Sequence, residues 1–532
     1  MALWTGVKQQ ESPMTRTVRE EVIALLDQLG MTTIFGNPGS TELPMFRDLP
    51  DHFRYVLGLQ ESVVVGMADG FAQATRNAAL INLHSAAGVG HALGNIFTAF
   101  KNQTPLVVTA GQQARSILPY DPFLHAERAT EFPRPYVKWA CEPARAEDVP
   151  AAILRAYHVA MQPPFGPTFV SIPVDDWDRA CPPVTVSRTS QQVRGDSALL
   201  AEAAELLATA RAPVFVVGAG IAIDDAWDEV IALAERHKAG IWVAPLAARN
   251  GFPEDHPLFR GFLSAFRDSI VANLAGADLV LVLGAPAFTY HAEGEGAHLP
   301  EGAKLVQIGD DPAMAARLPV GLGIVSSLKP ALAELLAGPN PVARTAPAPR
   351  AVPEQLADAP FTDAVLMQRL AASRPKGSII VEEAPSSRGA MHDHLPIMDR
   401  DGFYTCASGG LGHGLPAALG VALGRPGERV IALIGDGASM YAIQSLWSAA
   451  QLGLKVTFVI VNNGRYEALH VFGRHFGLQK LHGTQLPGLD FVGLAEAQGV
   501  AAVRAETAAE FEAALAKAFA QNGPMLVEAV VA

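Results

Sequence analysis

Cysteine is scarce: Cys141, Cys181 and Cys406 are the only three in 532 residues. Spaced so widely, they offer neither a metal-ligand cluster nor a disulfide framework, and they fit a reducing cytoplasm. Long hydrophobic runs are also lacking. No uninterrupted apolar stretch reaches the roughly 18 residues that suggest a membrane span. Positive charge is in deficit, with 40 Lys and Arg against 53 Asp and Glu and a net charge of −13. Without a long basic cluster, nucleic-acid binding loses its electrostatic basis. Residues 1–14 include Lys8 and Glu11 and have no apolar signal core. They read as a tail, or as a stretch upstream of a start at Met14.

Apolar material is ample, at 49% of residues, and the length suggests about three domains at roughly 150 residues each. Short apolar runs alternate with helical patterns. Residues 18–29 are amphipathic and stop at Gly30, Thr33-Ile34-Phe35 leads into the turn Gly36-Asn37-Pro38-Gly39-Ser40, and 80–83 and 106–109 read as strands. A Pro-, Ser- and Thr-rich stretch over 181–193 precedes a second block with strands near 214–217, 241–243 and 279–283. Residues 338–360, rich in Pro and Ala, read as an exposed linker to a third block. The expectation is an α/β protein of three doubly wound parallel-sheet domains, at 1–190, 191–345 and 346–532.

The third block holds the sharpest signal. Gly435-Asp436-Gly437 follows the apolar run 430–434, Asn462-Asn463 follows the run 456–461, and a helical pattern lies between. This is a βαβ unit with polar residues at the carboxyl ends of both strands, the edge where open parallel sheets bind ligands. Asp436 and Asn463 carry hard oxygen ligands of the kind Mg²⁺ or Ca²⁺ takes, and the glycines allow backbone N–H groups close to a diphosphate.

Other signals are weaker taken singly. Gly218-Ala219-Gly220 begins like a dinucleotide-binding turn, but Ile223 stands where the third glycine belongs, so an ordinary tight turn is expected. Glu61 opens a helical pattern rich in small residues, where the macrodipole alone favours a carboxylate. His84 ends a strand, Ser40 sits in a Gly/Pro turn where it can cap a helix, and His291 follows Phe288-Thr289-Tyr290.

Together these segments resemble the thiamine diphosphate (ThDP)-dependent 2-keto acid decarboxylases of the benzoylformate decarboxylase type. The likeness runs from about residue 16 to the end. It rests on Phe35-Gly36-Asn37-Pro38-Gly39-Ser40, Ile81-Asn82-Leu83-His84-Ser85-Ala86-Ala87-Gly88, Thr109-Ala110-Gly111-Gln112-Gln113, Pro133-Arg134-Pro135, Asp175-Asp176-Trp177-Asp178, Gly409-Gly410-Leu411-Gly412 and the Asp436–Asn463 motif. The resemblance implies a homotetramer, a dimer of dimers, with ThDP between two subunits. The first block of one subunit would hold the pyrimidine. The last block of the other would hold the diphosphate and Mg²⁺, for which Ca²⁺ can substitute. It implies non-oxidative decarboxylation of a 2-keto acid to aldehyde and CO₂, with side carboligation. By the same resemblance Glu61 hydrogen-bonds the aminopyrimidine and Leu411 presses between the two rings. Gly409, Gly435, Gly437 and Ala438 bind the cofactor, while Asp436, Asn463 and the backbone carbonyl of Arg465 hold the metal. Ser40 binds the substrate carboxylate, and His84 and His291 serve proton transfers.

The chain departs from the family at several points. The loop 118–130, with Phe123, Leu124 and His125, differs and is expected to line the substrate pocket. Thr405 stands where an aromatic is expected, and Ala384-Pro385 interrupts a Ser/Thr-rich segment. Phe123, Ala468 and Phe472 suit an aryl or branched group, whereas His125 and His475 suit a polar one. Two other readings stay open here. One is an acetolactate-synthase-like carboligase, disfavoured by Ser40, His84 and His291. The other is a non-catalytic ThDP-fold scaffold or regulator, disfavoured by Glu61, His84 and the metal residues.

Overall fold

Three six-stranded sheets, with every strand pair parallel, carry the chain in the computed structural model, which describes residues 16–532. The tail or upstream stretch expected over residues 1–14 lies outside the described residues. The first sheet runs from Thr33–Gly36 to Pro167–Pro173, the second from Pro213–Val217 to Leu322–Val325, and the third from Ile379–Glu383 to Met525–Val530. The three doubly wound parallel sheets expected from the sequence are present. Parallel strands covered by helices on both faces need continuous apolar runs, and Leu279–Leu283 and Leu106–Gln112 are buried at every position.

Numbered in chain order within each sheet, the first and third share the order 2-1-3-4-6-5, whereas the second is 3-2-1-4-5-6. In the first and third the order reverses beside the opening strand, and a crevice forms at the carboxyl ends of the two strands flanking that point. The crevice of the first sheet lies beyond Thr33–Gly36 and Ala79–Leu83, hence at Gly39-Ser40 and His84. That of the third lies beyond Ile379–Glu383 and Val430–Gly435, hence at Glu383 and Asp436.

The first and third domains meet through the helices Glu61–Thr75 and Gly414–Gly424. Glycine makes this contact possible, because a methyl on Gly70 would run into the backbone of Ala417 and one on Gly420 into that of Met67. Gly420→Val is therefore expected to lower stability by about 1–3 kcal/mol through overpacking. An unchanged urea midpoint would contradict this packing.

The middle domain's turn is an ordinary one, as its missing third glycine suggests. The Gly218 amide donates to Leu283 O (2.9 Å) and the Gly220 amide to Gly284 O (3.0 Å), and only the four-residue helix Gly220–Ile223 follows. Between Leu336 and Asp363 no helix or strand intervenes. That segment is exposed but pinned, since Arg344 donates to the carbonyls of Leu207, Ala208 and His237. No described helix is long and apolar enough to cross a membrane.

Candidate active site

In the first domain, the turn after Thr33–Gly36 passes directly beneath His84, where any side chain on Gly39 would overlap the imidazole. Ser40, the next residue, is exposed. Nδ1 of His84 lies 2.8 Å from Glu42 Oε2. Glu42 is buried and also accepts from the amides of Gly39 and Gly111, each at 2.9 Å. A buried carboxylate at Nδ1 holds the proton there and leaves Nε2 to face a ligand. Ser85 follows in the left-handed region at φ 50°, a strained position for a non-glycine residue. Its hydroxyl donates to Leu124 O at 2.7 Å, tying the loop 118–130 to the His84 corner.

Glu61 opens its helix, yet Gln60 provides the cap, accepting from the amides of Ser62 (2.6 Å) and Val63 (3.2 Å). The Glu61 carboxylate is thus released from capping. Its Oε2 lies 3.1 Å from His91 Nδ1. Gly88 separates Glu61 from His84, for a methyl there would touch Glu61 Oε1 at 3.4 Å and His84 Cβ at 3.6 Å. Ser40, Glu61 and His84 thus share one corner of the first domain.

In the third domain, Asp436 joins the two strand ends. Its carboxylate accepts from the amides of Gly437 (2.7 Å), Gly464 (2.8 Å) and Asn463 (3.2 Å). Burial pushes its pKa up and these amides oppose the rise. Asn463 Oδ1 accepts from the Arg465 amide at 3.1 Å. The Arg465 side chain is drawn to Glu467 (2.7 Å), and the Arg465 carbonyl accepts one bond, from the Glu467 amide (3.0 Å). Leu411 is half-buried between Gly409 and Gly412, at φ 70° and 96°. The buried Glu383 carboxylate anchors this loop by accepting from the amides of Gly412 (2.6 Å), His413 (2.8 Å) and Gly414. Burial raises the Glu383 pKa to about 7 against the pull of those amides.

His291 comes from the middle domain. Its ring lies 4.5 Å, centroid to centroid, from that of Phe472 in the third, and its amide donates to Ala265 O at 2.9 Å. Among the described residues, no hydrogen bond or ring contact joins Ser40, Glu61 or His84 to His291, Asp436, Asn463 or Arg465. The Leu411 loop does reach the first domain, for Asn95 Nδ2 donates both to Ser62 O (2.7 Å), next to Glu61, and to Gly412 O (3.1 Å). Phe123, expected along the pocket, is 97% exposed in the single chain, and His125 pairs with Asp121 at 3.0 Å.

Sequence reasoning missed Glu42, Glu383 and the cluster around Thr405. The available signal for the first two was an acidic residue where a strand or turn meets the ligand-facing edge. Thr405 is no simple gap. It is buried and donates to Glu382 Oε2 at 2.8 Å, and Glu382 pairs with Arg388 at 2.7 Å. Burial opposes the Glu382 charge, but Arg388 and the hydrogen bonds from Thr405 and the Ala384 amide hold its carboxyl below the usual range.

A two-part site at the carboxyl edges of paired parallel sheets is the architecture of a thiamine pyrophosphate enzyme. The N-terminal TPP binding domain of such enzymes matches residues 16–129, their central domain 200–335 and their C-terminal TPP binding domain 385–529. Benzoylformate decarboxylase of Pseudomonas aeruginosa is 42% identical over 519 residues, covering 96% of this chain and 98% of that one. The crystal structure of benzoylformate decarboxylase from Polynucleobacter necessarius superimposes with a TM-score of 0.95 at 40% identity, over 97% and 98% of the two chains. The ThDP-dependent 4-hydroxybenzoylformate decarboxylase of Rhodococcus jostii RHA1 does so with a TM-score of 0.94 at 40% identity, over 97% and 99%. The chain belongs to the benzoylformate decarboxylase family of ThDP-dependent enzymes.

Proposed function

We propose that this protein catalyses the non-oxidative decarboxylation of an aryl 2-keto acid, with benzoylformate the first substrate to test, releasing aldehyde and CO₂ with some carboligation. The carrying observation is the pair of corners described above, one with Ser40, Glu61 and His84 and the other with Asp436, Asn463 and Leu411. ThDP supplies the electron sink that a 2-keto acid needs, because direct loss of CO₂ leaves an unstabilised acyl carbanion. The chain's own residues do the rest. Glu61 would hold the aminopyrimidine through a hydrogen bond, and Leu411, on its anchored loop, would pack against the bound cofactor. Ser40 holds the substrate carboxylate. His84 moves a proton at Nε2 while Glu42 fixes Nδ1, and His291 serves the later proton transfer. The reading that two subunits complete each site is supported by the lack, among the described residues, of any hydrogen bond or ring contact from Ser40, Glu61 or His84 to Asp436, Asn463 or Arg465. Exposed Tyr120 and Phe123, 82% and 97% accessible, add apolar surface for a partner copy. The proposed assembly is a homotetramer, and unpaired Cys141, Cys181 and Cys406 favour the cytoplasm.

The donor set supports Mg²⁺, with Ca²⁺ as a substitute. A carboxylate (Asp436), an amide oxygen (Asn463) and a main-chain carbonyl (Arg465) are all hard oxygens, and one carboxylate suffices where a diphosphate completes the shell. Gly409, Gly435, Gly437 and Ala438 complete the cofactor's seat. Asp436→Ala is expected to weaken Mg²⁺-dependent ThDP retention by more than about 10–100-fold, the loss typical when only a partner behind a metal ligand is removed. Equal ThDP affinity with and without Mg²⁺ in both proteins would remove the metal from this position.

A panel of 2-keto acids, with ThDP and Mg²⁺ supplied and CO₂, aldehyde and 2-hydroxy ketone measured, tests the reaction itself. Aldehyde as the main product from benzoylformate is the expected result. A 2-hydroxy ketone as the main product from pyruvate would favour the carboligase, and consumption of no 2-keto acid would refute the assignment.

A further inference from the structure

The side chain of Leu411 has no polar group, so no hydrogen bond of its own can fix where it points, and its place is set by the backbone around it. That backbone is pliable. Three of the four residues from Gly409 to Gly412 are glycine, and glycine loses more conformational freedom on ordering than any other residue. Within the third domain, Glu383 takes the Gly412 amide at 2.6 Å. The loop is met from the first domain by the helix Ser85–Lys101, which starts directly after His84. Asn95, Thr98 and the capping residue Asn102 stand three and four positions apart, a spacing that places them along one face. All three are buried.

Each of the three reaches the loop. Asn102 Oδ1 accepts from the Ala407 amide at 2.8 Å. Thr98 Oγ1 lies 2.8 Å from Ser408 Oγ. Asn95 Nδ2 donates to Gly412 O at 3.1 Å. The hydroxyl protons order themselves along this seam. Thr98 has a single proton, directed at Gly94 O (3.2 Å), so Ser408 is the donor between the two hydroxyls. Ser408 Oγ still accepts from the Gly410 amide at 3.0 Å, which ties the glycine run to the same point.

A buried polar side chain destabilises the fold unless it is paired, and apolar residues would serve if this helix face only had to pack. What the polar residues add is direction. They hold the backbone at 407, 408 and 412, on both sides of Leu411. We infer that Asn95, Thr98 and Asn102 are positioning residues, a seam by which the first domain holds the Leu411 loop in the one conformation that meets the cofactor. The inference rests on the reading in which Leu411 packs against bound ThDP, and it adds the side chains that act through Leu411.

Asn102 also donates to Asp69, the partner of His413, at 3.0 Å, so the test uses the other two. Thr98→Val keeps the shape and removes the hydroxyl, and Asn95→Ala removes the donor to both Gly412 and Ser62. The first readout is amide hydrogen exchange over residues 406–412, followed by mass spectrometry on the cofactor-free protein. It is expected to quicken about 3–10-fold in Thr98→Val, the scale of one buried hydrogen bond, and further in Asn95→Ala. Thr98→Ser, which restores the hydroxyl, should return the wild-type rate. The second readout is hydrogen exchange at C2 of ThDP in the full-length protein loaded with ThDP and Mg²⁺. This exchange and kcat should both fall at least about tenfold in Thr98→Val and Asn95→Ala, because a misplacement of about 1 Å costs on the order of 10²-fold. KM for benzoylformate should hold, the split expected when only the reacting state is affected. A seam that merely stabilises the fold would lower the urea midpoint while C2 exchange and kcat of the folded variants stayed at the wild-type values, and that result would overturn the inference. So would unchanged amide exchange over 406–412 in both variants, or a loss in Thr98→Val that Thr98→Ser shares. If no keto acid is consumed, the decarboxylase assignment falls instead, and C2 exchange, which needs no substrate, still decides the role of the seam.

Discussion

Glu61→Ala is expected to abolish hydrogen exchange at C2 of bound ThDP and to lower kcat by about 10²–10⁴, the range for a group acting in proton transfer. The structure separates this carboxylate from the folding of its helix. Gln60 caps the helix, so the Glu61 carboxylate is not needed to hold the helix start. Its burial beside Gly88 and its contact with His91 at 3.1 Å give it one direction to face. The variant should therefore keep its circular dichroism and urea midpoint while losing exchange, read by NMR of the cofactor. Exchange at the wild-type rate would remove Glu61 from the reaction.

His413→Ala should cost about 3–5 kcal/mol of stability, the typical penalty for stripping one partner from a buried ion pair. His413 and Asp69 are both buried and meet in a close hydrogen bond between the helices that join the first and third domains. Burial disfavours the charge on His413, but Asp69 outweighs it and holds the imidazole pKa above its ordinary 6.5. Burial likewise opposes the Asp69 charge, and His413 holds its carboxyl below the ordinary 3.8. The signs define a window. The His413 contribution is complete below 6.5 and is lost as pH rises through its raised folded value. The Asp69 contribution is complete above 3.8 and is lost as pH falls through its lowered folded value. Urea titrations of wild type and variant should differ most between those limits, with the gap narrowing on either side. His413→Gln, which can keep a donor toward Asp69 but not the charge, should recover part of the loss. A gap that does not vary with pH would show that packing, not charge, is what His413 contributes. The backbone amide of the same residue donates to Glu383, a hydrogen bond that the variant keeps.

Several parts of this molecule are legible in the sequence. Asp436 and Asn463 stand at adjacent strand ends because two apolar runs of strand length flank a helical one, and a parallel βαβ unit can arrange them in only one way. Ser40 and His84 were readable as a corner only through resemblance, because their strands, Thr33–Gly36 and Ala79–Leu83, are neighbours in space with another strand between them in sequence. Glu42 and Glu383 were legible only as acidic residues near strand ends, and Arg388 was not legible. Each is a charged residue whose role depends on partners far along the chain: Gly111 for Glu42, Gly412 to Gly414 for Glu383, and Thr405 for Arg388.

By itself the sequence determined the class of fold and the strand ends at which Asp436 and Asn463 stand, because apolar periodicity and glycine-bearing turns are local properties of the chain. Tertiary structure alone decided which buried carboxylates stay charged, which histidine nitrogen faces outward and where a cavity opens between the middle and third domains. Those outcomes depend on desolvation and on partners dozens to hundreds of residues away, and no local pattern encodes either.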